Sequence, residues 1–150
     1  MAWRKPETRD LTAKLNQREL EAFKIHPDYA SMANPASDLL AQTAEFVRGF
    51  CRRNRQLAMS PNAGTIPESL MSPAMDIAAF DVLKRINVTV NEARKSAWER
   101  AIELLKDVAS GAFTPESYDP GGGEEANARN NLALPGFTAE YRNFILNERL

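Results

Sequence analysis

Between Ala74 and Leu83 the chain reads Ala-Met-Asp-Ile-Ala-Ala-Phe-Asp-Val-Leu, apolar on almost every side of a helix except at Asp76 and Asp81. A helix that is apolar nearly all round must be enclosed by others, so this stretch demands the centre of a helical bundle. The pattern predicts a helix from near Pro67 to about Ile86. Pro73 either sits in its first turn or marks its true start and bends it. Asp76 and Asp81 are five residues apart, so they do not stack on one helix face as a carboxylate pair. They mark solvent-facing or interface positions.

The partners for that central helix are visible on either side. Asn34-Pro35 is a helix start, with Asn34 as cap and Pro35 in the first helical position. From there Leu39, Leu40, Thr43, Phe46, Val47, Phe50 and Cys51 recur at three- and four-residue steps, one apolar face over about four turns. After the turn-rich stretch 57–66 and the central helix, Asn87-Val-Thr-Val-Asn91 makes a short connection with Thr89 or Asn91 as cap. The last helix then carries Trp98, Ala101, Ile102, Leu105, Val108 and Ala109 on one face and charges on the other, and Gly111 ends it. Ahead of Asn34 the pattern is weaker. Asp10–Leu15 suits a short helical turn. Asn16 and Glu19 form a capping box for a helix carrying Leu20 and Phe23, which Pro27 stops. The expected fold is all-α: a small bundle of about four helices with an extended C-terminal arm. Residues 1–33 would supply short N-terminal helices, 34–111 the bundle core, and 112–150 a linker and docking arm.

Composition agrees with one domain. The 150 residues are 43% hydrophobic and 26% charged, enough apolar content for a core without staples. Lys plus Arg number 19 and Asp plus Glu 20, a net charge of −1, which excludes a histone-like DNA wrapper and an acidic disordered tail. Residues 1–64 hold ten basic against seven acidic residues and 65–150 nine against thirteen, a mild skew that suits polar self-association. A single Cys and a single His exclude an internal disulfide, a multi-Cys zinc site and any site with two imidazoles. No apolar run approaches the roughly 18 to 20 residues of a membrane span, and the charged start has no signal-peptide core. The expectation is a soluble, intracellular, reduced protein with no membrane partner.

Beyond Gly111 the composition shifts. Thr114–Glu125 holds two prolines and three glycines and reads as a flexible linker. The last stretch regains aromatics, and Phe137, Tyr141, Phe144 and Ile145 stand at helix-face spacing. Such a segment either docks in a partner's groove or folds back on its own bundle.

Few residues suggest chemistry. His26, before Pro27, reads as a surface or capping residue, because no catalytic partner is visible. Cys51 lies on an apolar face, where Cys behaves as a small hydrophobe, and Arg52 or Arg53 would activate it only by facing it. Gly121-Gly-Gly123 has neither the Lys-Ser/Thr nor the preceding strand of a phosphate loop. No catalytic residue, cofactor or metal is expected, and an enzyme ranks third among the readings. The basic cluster Arg48, Arg52, Arg53 and Arg55 offsets a helix C-terminus, or contacts DNA phosphates or a neighbour's acidic residues.

Two stretches resemble a known family: Ile66-Pro-Glu-Ser-Leu70 running into Met75-Asp-Ile-Ala-Ala-Phe-Asp-Val-Leu-Lys-Arg85, and Ala97-Trp-Glu-Arg-Ala-Ile-Glu-Leu-Leu-Lys-Asp-Val-Ala-Ser-Gly-Ala112. Over residues 34–116 the chain resembles the head–tail connector (adaptor) proteins of tailed phages, of the Mu-like type, with Trp98 where that family more often has Tyr. The resemblance implies a non-enzymatic virion protein, made in the host cytoplasm and placed in the neck. It would form a dodecameric ring with itself, bridging the portal protein to a stopper or tail-completion protein around the DNA channel, with DNA passing through unread. Phe137, Tyr141, Phe144 and Ile145 would dock on the portal. Arg48, Arg52, Arg53 and Arg55 would face a neighbouring subunit or the channel. The alternative is a small helical DNA-binding phage protein, terminase small-subunit-like or regulatory, using the arginines on phosphates.

Overall fold

Three of the helices start where an asparagine side chain closes the first turn. In the computed structural model, which describes residues 2–120, the order is β1 (Trp3–Arg4), α1 (Thr8–Leu11), α2 (Gln17–Ile25), α3 (Pro35–Arg53), β2 (Ile66–Pro67), α4 (Met71–Arg85) and α5 (Glu92–Ser110). Asn16, Asn34 and Asn91 accept from the backbone N–H groups of Glu19, Ser37 and Arg94 at 2.8, 3.1 and 2.9 Å. Each bond satisfies an amide that the helix itself leaves free. Glu19 completes the box by accepting from the Asn16 N–H. At the other ends, Gly111 takes φ +90° after α5, and Asn87 takes φ +58° after α4 so that the Val88 N–H reaches the Leu83 carbonyl. The architecture is the expected all-α bundle, with five helices among the described residues and a minimal two-stranded pairing.

The central helix is α4. Met71, Ala74, Met75, Ile77, Ala78, Ala79, Val82 and Leu83 are all buried, and α1, α2, α3 and α5 all pack on it. Its three alanines let the neighbours approach closely. α3 adds Leu39, Leu40, Ala44, Val47 and Cys51 to the core, and α5 adds Ala101, Leu105 and Val108. Thr43 is tolerated in the core because its hydroxyl donates to the Leu39 carbonyl at 3.0 Å.

Two boundaries differ from the sequence expectation. α4 starts at Met71, after a 3-10 turn at Glu68–Leu70, and not near Pro67. Ile66 and Pro67 are extended because they pair antiparallel with Arg4 and Trp3. Pro73, lacking an N–H, falls in the first turn, where none is needed. The N-terminal segment is also better packed than its weak pattern suggested, since Leu11, Leu15, Leu20 and Phe23 belong to the same core cluster as α3–α5. The arm residues Phe137, Tyr141, Phe144 and Ile145 lie outside the described residues.

Candidate functional site

The four arginines grouped by sequence do not form one surface. Arg48 points inward and is only 6% exposed. One guanidinium nitrogen donates to the Thr65 carbonyl at 2.8 Å and the other to the Ser60 carbonyl at 3.0 Å. Its Nε lies 3.5 Å from the Glu45 carboxylate, and the Trp3 ring covers it at 5.8 Å from the ring centroid. This corrects the expectation that Arg48 faces a neighbouring subunit or the DNA channel. Arg48 pins the 57–66 loop against α3, and its position beside Val47 and Cys51 on α3 turns it toward that loop.

Arg52, Arg53 and Arg55 are exposed at the far end of α3. Arg52 bonds Glu45 at 3.1 Å. Arg53 and Arg55 flank a shallow hollow shared with Ala109, Ser110 and Gly111 at the C-terminal turn of α5. Cations there complement the partial negative charge of two helix ends, and they remain free to meet an anionic partner. On the outer face of α5, Ser96, Glu99, Arg100, Glu103, Leu104 and Asp107 line an open groove. Glu103 is the partner of Lys106 at 3.3 Å.

A second surface was hidden in the apolar patterning. Phe46, on the stripe of α3, is 46% exposed. Together with Gln42, Thr43, Ile77, Phe80, Asp81, Lys84 and Trp98 it lines a groove of about 330 Å³ drawn from α3, α4 and α5. Phe80 and Trp98 stack at 4.8 Å, and Phe46 meets Phe50 edge-on at 5.2 Å. The Phe46/Phe50 spacing is that of neighbours on one helix face. No spacing rule links Phe80 to Trp98, which meet only through helix packing.

The remaining candidates take structural positions. His26 ends α2, and its Nδ1 accepts from the Asp28 N–H at 3.2 Å. Cys51 is fully buried, and burial pushes its thiol up to about 11, against the pull of Arg48 and Arg52. Asp76 pairs with Lys14 at 3.0 Å and Asp81 with Arg85 at 3.3 Å. Among the described residues no helix is long and apolar enough to cross a membrane.

Three carboxylates sit below their ordinary range for a shared reason. Arg94 bonds Glu19 with both guanidinium nitrogens, at 2.8 and 3.0 Å, Arg4 bonds Asp10 likewise, and Arg52 bonds Glu45. A carboxylate held low in the folded chain and ordinary in the unfolded one adds stability that is complete above the unfolded pKa. Stability should therefore be flat above about pH 5 and should fall as pH drops through the ordinary Glu value of 4.5 and below. Urea midpoints measured from pH 7 to pH 3 should show this slope. Glu19→Gln should make it shallower, with Asp10 and Glu45 supplying the remainder.

No curated protein and no solved structure matches the chain. One family does, described as Bacteriophage Mu, Gp36, and its model matches residues 7–133. That span takes in α1 through α5 and most of the chain, so the protein belongs to the Bacteriophage Mu Gp36 family and is a protein of the Mu-like phage type.

Proposed function

We propose that the protein is a virion structural component of the head–tail connector type. It is an adaptor subunit that assembles into a ring between the portal and a stopper or tail-completion protein, around the DNA channel, and it carries out no catalysis. The observation that carries this reading is the aromatic groove. Phe46, Phe80 and Trp98 gather from three helices onto an open surface, as protein-contact sites do. Family membership supplies the phage setting. A closed ring requires two unlike faces that meet heterologously. In this reading Arg53 and Arg55 of one copy oppose Glu99, Glu103 and Asp107 of the next. Arg52, already bonded to Glu45, contributes less, and the buried Arg48 drops out. Phe137, Tyr141, Phe144 and Ile145 are the portal-docking residues.

Light scattering on the full chain, alone and with its portal protein, tests this. A ring or a portal complex is the expected result. Deleting residues 126–150 should remove the portal complex, and Arg53→Glu with Arg55→Glu should shift the ring toward smaller species. A monomer that ignores the portal and binds duplex DNA with steep salt dependence would overturn the reading in favour of DNA binding.

A further inference from the structure

After α5 the chain runs back across the end of the bundle. The Asn54 side chain donates to the Thr114 hydroxyl at 3.1 Å, and Pro115 is buried. The Glu116 carbonyl accepts from the Trp3 indole N–H at 2.9 Å, while its carboxylate accepts from the Ser69 N–H at 2.9 Å. The Ala58 N–H donates to the Ser117 hydroxyl at 3.1 Å, and the Tyr118 N–H donates to the Ala58 carbonyl at 2.8 Å. Five residues thus bind three separate segments: the N-terminal strand, the loop after α3, and the turn before α4.

We infer that Thr114–Tyr118 is a strap that opens and closes as one unit over a bundle that stays folded, with Trp3 and Glu116 as its latch. The chemistry of its contacts carries this. Hydrogen bonds hold the strap, Pro115 is its single buried residue, Glu116 and Tyr118 are half-buried, and Thr114 and Ser117 are exposed. A segment with few buried apolar groups and solvent-accessible hydrogen bonds opens at a fraction of the global unfolding free energy. Glu116 meets Trp3 through its backbone carbonyl and Ser69 through its carboxylate, so movement of the strap breaks both bonds together. Gly111, at φ +90°, supplies the turn from which the strap swings. When the strap is closed, Tyr118 is fixed to Ala58, and so is the point from which the chain continues. When it is open, that point is released, and the Ala58 N–H and C=O are left for another extended segment to pair with. The inference goes beyond the connector reading and is independent of it, because its test needs no partner.

Native-state hydrogen exchange on the full chain reads the strap directly. The amides of Ala58, Ser69 and Tyr118 each donate a strap bond, and those of Ala78 and Val82 report on α4. The three strap amides should share one opening rate, faster than α4 by about 100-fold or more. Trp3→Phe keeps a ring over Arg48 but removes the indole N–H. It should speed all three by about 2- to 13-fold, the effect of one hydrogen bond, and leave α4 unchanged. Exchange of the strap amides at the α4 rate, unrelated rates among the three, or indifference to Trp3→Phe would overturn the inference. If Trp3→Phe also speeds α4, Glu116→Ala, which removes the acceptor of the Ser69 N–H, decides. Faster strap amides over an unchanged α4 support the strap, and no change rejects it.

Discussion

Replacing Arg48 with methionine is expected to lower the unfolding free energy by about 2–4 kcal/mol. For a chain of this size that is a fall in Tm of roughly 4–16 °C. The side chain that remains still fills the space of the arginine stem. What goes missing is the pair of donors to the Thr65 and Ser60 carbonyls, together with the charge beside Glu45. An unsatisfied buried acceptor costs about 1–3 kcal/mol, and two are left here. Arg48→Lys should recover only part of the loss, because a single ammonium cannot reproduce a planar fork that reaches two carbonyls. Arg53→Ala and Arg55→Ala, on exposed side chains, should each change stability by less than about 0.5 kcal/mol. Urea unfolding followed by tryptophan fluorescence separates the cases. An Arg48→Met variant as stable as Arg55→Ala, but defective in assembly, would return Arg48 to the subunit surface.

What the sequence discloses here is what is decided locally. The caps at Asn16, Asn34 and Asn91 and the stop at Gly111 are legible because the bonds they make span three residues or fewer. The enclosure of α4 is legible because no exposed helix carries apolar residues all round. The start of α4 is not legible, since Ile66 and Pro67 become extended only by pairing with Arg4 and Trp3 from the other end of the chain. The arginine cluster misleads for a related reason. Arg48 and Arg52 are one helical turn apart on the same face and both reach Glu45, but the Ser60–Thr65 loop covers and accepts from Arg48 alone, a distinction that helix spacing does not show. Phe46 errs in the other direction. It fits the apolar stripe of α3, yet the groove it borders is left open, so the residue stays exposed. Thr114–Tyr118 reads as linker because its residues are turn formers, and only its distant partners Trp3, Ala58 and Ser69 reveal it as held.

Phe23→Ala tests whether the N-terminal helices are an annex or part of the bundle. Phe23 is completely buried, and its ring lies 5.1 Å from that of Tyr29. Truncating a buried phenylalanine removes its transfer free energy and leaves a cavity, together worth about 3–5 kcal/mol. The decisive question is where that loss is felt. α2 packs on both α3 and α4, and Glu19 on α2 accepts from both terminal guanidinium nitrogens of Arg94 at the start of α5, in a partly buried pair. With the contacts shared in this way, the whole described unit should unfold in one transition, and Phe23→Ala should lower its Tm by roughly 6–20 °C without splitting it. Ile25→Ala, two residues away and 72% exposed, is the control and should leave the midpoint within a degree or two. Circular dichroism at 222 nm and the fluorescence of Trp98 on α5, read in a Trp3→Phe background, should report the same midpoint in Phe23→Ala. If the helical signal instead melts in two steps, with Trp98 unmoved by the first, residues 8–25 fold as a separable layer and the α3–α5 core stands without them.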